Sequence, residues 1–246
     1  DVWSDPKQFL LNDDYTPKAV AGVPPDLFSK DGQLWGNPLY DWQYMKSTDY
    51  SWWKKYMLHA LNRYDTVRID HFRGFESFYA IPYGDTDAKG GEWVKGPDTD
   101  LFKALRAEFG KNLPIIAEDL GFITPDVREL LEFTGYPGMK ILQFAFYDED
   151  AEFLPRMYKT SNCVVYTGSH DADCTYTWIK NIEGDAKKRF KKECLDKTTY
   201  KGVYAMIYLA LSSTANLSII PIQDYLCLTN EEGRMNTPST ASGNWT

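Results

Sequence analysis

Five short apolar runs punctuate the chain, at residues 66–70 (TVRID), 114–119 (PIIAED), 139–146 (MKILQFAF), 162–167 (NCVVYT) and 217–224 (LSIIPIQD). Each has the length of a buried strand and most close on polar residues. The segments between them carry helical signals. Ser51 is placed to cap a helix over residues 51–64, with Trp53, Met57, Ala60 and Leu61 on one face. A second helix over 101–109 ends at Gly110, and Thr124-Pro125 supplies a cap followed by proline at the first helical position, with Gly135 at the far end. Residues 187–195 and 200–213 complete the helical set. The first 50 residues lack this periodicity and, with Pro24-Pro25, Gly36-Asn37-Pro38, Trp35, Tyr40 and Trp42, read as a long aromatic loop.

Strands alternating with helices predict an α/β fold built on a parallel sheet covered by helices. The strand ends fall near residues 70, 119, 145, 168 and 223, a unit length that suits a TIM (β/α)8 barrel with insertions. Five units are visible rather than eight. No internal repeat, low-complexity tract or interdomain linker stands out.

Composition narrows the classes of function. A formal net charge of −8, with acidic and basic residues interspersed, argues against a nucleic acid or an anionic membrane as partner, so neutral substrates remain. Cys163, Cys174, Cys194 and Cys227 form no CxxC pair, a pattern that suits reduced thiols in a cytoplasmic protein. No apolar stretch approaches the roughly 20 residues of a membrane span, and the start at Asp1-Val2-Trp3 does not read as a signal peptide. Aromatic residues make up 15% of the chain; they suit stacking on sugar rings and equally suit an aromatic-rich core.

In a barrel of this kind the active site lies at the C-terminal ends of the strands. The residues closing the runs are Arg68 and Asp70, Glu118 and Asp119, Gln143, His170 and Asp171, and Gln223 and Asp224. They contain no metal-ligand spacing, phosphate cradle or Ser-His-Asp order; they are dominated by carboxylates. Retaining cleavage of a glycosidic bond needs a carboxylate nucleophile and a carboxylic acid about 5 to 5.5 Å apart, and neighbouring strands about 4.8 Å apart provide that spacing. Asp70 and Glu118 end consecutive runs. Arg68, two residues before Asp70 on the same face, favours an ionised nucleophile there. Glu118 is then the acid, its pKa raised by a nearby carboxylate or by desolvation. Each feature also has a structural explanation: Arg68–Asp70 as an ion pair closing a strand, Glu118-Asp119 as solvated loop acids, His170-Asp171 as a loop hydrogen-bond pair.

The segments 68–75 (RIDHFRGF), 117–121 (AEDLG) and 166–171 (YTGSHD) resemble the signature segments of the 4-α-glucanotransferases, also called amylomaltases or disproportionating enzymes, glycoside hydrolase family 77. Residues 20–26 (VAGVPPD), 33–42 (QLWGNPLYDW), 137–146 (PGMKILQFAF) and 234–245 (RMNTPSTASGNW) extend the resemblance nearly end to end. It implies that Asp70 is the nucleophile, Glu118 the general acid/base and Asp171 a third carboxylate steadying the oxocarbenium-like transition state. It also implies that His71 and His170 bond the sugar, that Arg68 supports the nucleophile, and that Trp35, Phe144, Asp148 and Asn236 line glucan subsites. One loop departs from the family's usual His-Asp-Asn-Asp-Thr: here it reads His170-Asp171-Ala172-Asp173-Cys174, without the amide side chain.

The reaction implied is transfer of an α-1,4-glucan segment from a maltooligosaccharide or starch-like donor to glucose or another glucan, without metal or organic cofactor. Rival readings are a hydrolase of the α-amylase clan and a non-catalytic glucan-binding fragment. Members of the family are about twice this long. The resemblance therefore implies that residues 1–246 are the C-terminal portion of one catalytic barrel, about strands 4 to 8, with 1–50 as a substrate loop and 51–246 as the remaining βα units. An incomplete barrel of this kind is expected to need the missing N-terminal part for stability and activity.

Overall fold

The computed structural model describes residues 1–25, 29–238, 240 and 242–245. Asp26 of the VAGVPPD segment, and Ser239 and Ala241 of the 234–245 segment, lie outside the described residues. The chain divides into two compact units, Asp1–Tyr136 and Pro137–Thr246.

The first unit contains, in order, β1 (Ala19–Val23), β2 (Gln33–Pro38), α1 (Trp42–Ser47), α2 (Ser51–Leu61), β3 (Val67–Ile69), β4 (Ser77–Pro82), β5 (Glu92–Lys95), α3 (Thr99–Phe109), β6 (Ile115–Ala117) and α4 (Pro125–Thr134). Strands β3 and β6 are parallel neighbours, pairing Val67 with Ile115, Arg68 with Ile116 and Ile69 with Ala117. The remaining strands form a separate antiparallel sheet in the order β2-β1-β4-β5. With α1, this sheet corrects the expectation of a long aromatic loop over residues 1–50. Its tightest point is Gly22, where a Cβ would stand 2.2 Å from the Gln33 carbonyl oxygen and 2.4 Å from Ile81 Cδ1; only glycine admits so close an approach of the neighbouring strand.

The helices of this unit follow their caps and faces. Thr124 accepts from the Val127 N–H, Pro125 opens α4, and Gly135 ends it in the left-handed region at φ 68°. Asp98 caps α3, which ends at Gly110 with φ 89°. Ser51 is not the cap of α2: Tyr50 holds that position in the left-handed region, no side chain caps it, and the helix stops at Leu61 rather than at residue 64. Trp53 and Met57 turn inward and join Phe72, Leu101, Phe102 and Leu105 in one buried cluster, which clamps α2 and α3 around the start of the β3–β4 connection.

The second unit contains β7 (Gly138–Ile141), β8 (Cys163–Tyr166), α5 (Thr175–Asn181), α6 (Gly184–Glu193), α7 (Gly202–Leu211), β9 (Leu217–Ile219), α8 (Ile222–Tyr225) and α9 (Asn230–Gly233). Its sheet is parallel, in the order β7-β8-β9. Two apolar runs expected as strands are split. Residues 142–146 coil into a 3-10 helix after β7, and residues 222–225 form α8 after β9. In the first run Leu142, Ala145 and Phe146 pack with Val165, Trp178 and Phe190, and an apolar run does not distinguish strand from buried helix; in the second, Pro221 ends the strand and opens the helix.

Each unit is therefore α/β with parallel strands, as the sequence predicts. Among the described residues no helix is long and apolar enough to cross a membrane.

Candidate active site

In the first unit the site is assembled where β3 and β6 end. Ile69 pairs with Ala117, so Asp70 and Glu118 are the next residues of two hydrogen-bonded parallel strands, whose spacing is about 4.8 Å. The ladder continues past them: the Glu118 N–H donates to the Ile69 carbonyl at 2.9 Å, and the Phe72 N–H to the Glu118 carbonyl at 2.9 Å. Asp70 is exposed, with 76% of its side chain open, and its Oδ1 lies 2.7 Å from Arg68 Nη2.

Glu118 is held differently. Its Oε2 accepts the His71 backbone N–H at 2.7 Å and its Oε1 accepts the Leu120 N–H at 2.7 Å. Burial pushes its carboxyl pKa above the ordinary glutamate value, and the charge of Asp70 pushes the same way; the two N–H bonds and Arg68 oppose them without reversing the result. The N–H of His71 reaches Glu118 because His71 itself takes a left-handed backbone, φ 47° and ψ 54°, at the entrance to the turn Phe72–Phe75. A non-glycine residue in that region is uncommon and strained. It is held by buried Phe72 and Phe75 on one side and by the strand ladder on the other.

The His71 ring meets Trp35 edge to face, with centroids 4.8 Å apart. Its Nε2 is buried with no hydrogen-bond partner among the described residues. Burial, then the Arg73 charge, pushes its pKa down to about 4, with Asp70 opposing. The unfolded imidazole takes up its proton near pH ~6.5, before the folded one does. Stability present above that value is lost as the pH falls toward about 4. Urea midpoints at pH 7 and pH 4.5 are expected to differ less in His71→Phe than in the parent.

In the second unit Asp171 sits on the loop that follows β8. Its Oδ1 accepts from Asn236 Nδ2 at 2.6 Å and its Oδ2 lies 3.2 Å from His170 Nε2. The His170 ring packs on Trp245 with centroids 5.3 Å apart. The loop lacks an amide at Ala172 but is bonded through other groups: Asp173 Oδ1 accepts from Arg234 Nη1 at 2.7 Å and Asn230 Nδ2 at 2.8 Å, and Asn230 Oδ1 accepts the Cys174 N–H at 2.8 Å. His170, Asp171 and Asn236 are thus brought together. Phe144 and Asp148 make other contacts: Phe144 meets Phe153 edge to face at 5.6 Å, and Asp148 accepts the Asp150 N–H at 3.3 Å.

Sequence reasoning missed the His71 backbone N–H beside Glu118 in the first unit, and Asn230, Arg234 and Trp245 around the Asp171 loop in the second. Arg234 and Trp245 lie in a segment that carries the family resemblance; the backbone donor has no signal in residue type. Among the described residues no group of three or more His, Cys, Asp or Glu is arranged to hold a metal ion.

The family model described as 4-alpha-glucanotransferase matches residues 1–246. The chain belongs to the 4-alpha-glucanotransferase family. Curated family members from Synechocystis and Clostridium butyricum, both named 4-alpha-glucanotransferase, are 47% and 45% identical over the whole chain, which covers 49% and 50% of their lengths. An amylomaltase from Streptococcus agalactiae, solved in complex with acarbose, superimposes with a TM-score of 0.92 at 37% identity, covering 99% of this chain and 49% of that one. The chain thus spans about half the length of the curated relatives it matches.

Proposed function

We propose that this chain carries the catalytic carboxylates of a retaining 4-α-glucanotransferase. The observation that carries the reading is the pair at the ends of β3 and β6. Asp70 is open and paired with Arg68, while Glu118 is partly buried with a raised pKa. Two carboxyls on adjacent strands with opposed environments suit the double displacement of a retaining enzyme.

Asp70 attacks the anomeric carbon of an α-1,4-glucan as Glu118 gives its proton to the departing glycosidic oxygen. The bond to the leaving glucan breaks and a glucosyl ester on Asp70 forms. The 4-hydroxyl of glucose or a second glucan then attacks the same carbon, Glu118 takes its proton, and the Asp70 carboxylate is released. Two inversions give net retention. Asp171, oriented by Asn236 and His170, steadies the positive charge on the ring. Trp35 offers a stacking face, and His71, whose ring lies against it, belongs to the proposed sugar-binding set. His170, Arg68, Phe144, Asp148 and Asn236 complete the proposed binding set, and the chemistry needs no metal or cofactor.

We also propose that the two units belong to one (β/α)8 barrel, of which this chain supplies about strands 4 to 8, completed by further chain. Support comes from the relatives' lengths and from the sheets. Two parallel strands alone do not make a stable sheet, and β9 presents Leu217 and Ile219 to solvent. The four cysteines, which form no CxxC pair, favour a cytoplasmic location.

Incubation of the full-length protein with maltotriose tests the reading. Glucose together with maltopentaose and longer oligomers is the expected result. Short products alone indicate hydrolysis, and unchanged maltotriose with measurable binding indicates a binding module; either overturns the proposal.

A further inference from the structure

Gln143, Thr167, Thr175 and Asp224 meet in the interior of the second unit, and none of them has a part in the steps above. Asp224 is only 2% exposed, although it is a carboxylate. Its Oδ2 accepts from the Thr167 hydroxyl and, at 2.8 Å, from the Thr175 hydroxyl; its Oδ1 accepts the Thr175 N–H at 3.0 Å. Gln143 Nε2 donates to Thr175 Oγ1 at 3.1 Å and to the Asp173 carbonyl at 2.9 Å. Gly168 closes the knot, since a Cβ there would stand 2.5 Å from Gln143 Nε2.

The placement is specific. Thr167 and Thr175 are the two stems of the loop 168–174 that bears His170 and Asp171, so a single carboxylate holds both stems. A buried carboxylate is costly and contributes little net stability compared with an apolar residue of the same shape. Three donors compensate that cost here, and what they fix is the geometry of the loop. Its outer side is fixed independently by Arg234 and Asn230 on Asp173.

We propose that Asp224 is a positioning residue of the transfer reaction, locking the Asp171 loop in its working geometry by bonding both stems. The proposal rests on the reading of Asp171 as the third carboxylate.

The test uses Asp224→Ala and Asp224→Asn in the full-length protein, with two readouts. Amide hydrogen exchange over residues 168–174 is expected to quicken about tenfold or more in Asp224→Ala, which orphans three donors. In Asp224→Asn it should stay within about threefold of the parent, because the amide keeps the Thr175 N–H bond and the hydroxyls can rotate to accept. Exchange in β8 and α7 serves as the internal control. In maltotriose transfer, Asp224→Ala should lower kcat about 100-fold with KM changed less than about threefold, and Asp224→Asn should recover most of it. Since Asp224 acts only through Asp171, Asp171→Ala/Asp224→Ala should be no slower than Asp171→Ala alone.

Additive losses in the double variant, or unchanged loop exchange in Asp224→Ala, overturn the proposal. Full activity in Asp171→Ala overturns both it and the role of Asp171, while the exchange data still report whether Asp224 holds the loop. If Asp224→Ala does not fold, Asp224→Asn and Thr175→Val carry the comparison: the latter removes the Thr175 hydroxyl bond and keeps the N–H bond, so loop exchange should quicken relative to the parent and kcat should fall between parent and Asp171→Ala, and parental values overturn the proposal.

Discussion

Asp70→Ala is expected to lower the rate of glucan transfer by roughly 10⁵-fold or more while leaving the fold intact, because removal of a covalent nucleophile abolishes the intermediate and not merely a contact. The stability side follows from exposure. Three quarters of the Asp70 side chain is open to solvent and it pairs with Arg68 at 2.7 Å, and exposed ion pairs of this kind contribute about 0–1 kcal/mol. The thermal midpoint should therefore move little. The variant also leaves space on the face from which Asp70 attacks, and an added small anion such as azide can enter it. With an activated glucosyl donor, azide should restore measurable turnover and give a glucosyl azide of inverted configuration, since one displacement replaces two. Near-parental turnover in Asp70→Ala without azide would show that another group is the nucleophile. The measurement is made in the full-length protein, alongside circular dichroism to confirm the fold.

How far the sequence revealed this arrangement depends on whether the deciding forces were local. The ends of α4 were readable because Thr124, Pro125 and Gly135 act within one turn of themselves. The strands β6 and β8 were readable because each is a short buried run bounded by polar residues, and β3 because Val67 and Ile69 alternate with Arg68; the carboxylates that follow them were then in view. The antiparallel sheet was not readable. In β2 four consecutive residues are exposed and Gly36 and Pro38 interrupt the run, so no alternation marks it; its existence depends on pairing with β1, which in turn pairs with the distant β4. Tertiary pairing of that kind overrides local preference. The run 217–224 failed for another reason. Pro221 ends the strand and starts a turn of helix, which brings Asp224 inward to Thr167 and Thr175. Its position among the polar strand ends was visible in the sequence; its burial was not. His71 is the sharpest case, because the residue was singled out for its ring while its backbone N–H, turned by a left-handed conformation, bonds the proposed acid.

That backbone bond shapes the second large effect. Glu118→Gln is expected to slow transfer from maltotriose by about 10³-fold, within the range for loss of a general acid/base. Both Glu118 oxygens accept backbone N–H groups, from His71 and Leu120. An amide preserves one acceptor and turns its NH₂ toward the other donor, so a local cost of about 1–2 kcal/mol is also expected. Two measurements separate lost chemistry from a disturbed site. The first is leaving-group dependence. Glucosyl fluoride departs without protonation, so its first step should be nearly as fast in Glu118→Gln as in the parent; an equal loss on fluoride and on maltotriose would mean that the geometry, not the proton, had been removed. The second is pH. Glu118 must hold its proton to act as acid, and burial raises its pKa. The parental kcat/KM should therefore persist above the pH at which an ordinary glutamate ionises and fall as the pH rises through the raised value. In Glu118→Gln that alkaline limb should disappear, leaving a low and flat profile. A limb that survives the substitution would assign the titrating acid to another residue and remove Glu118 from the role that its position beside Asp70 supports.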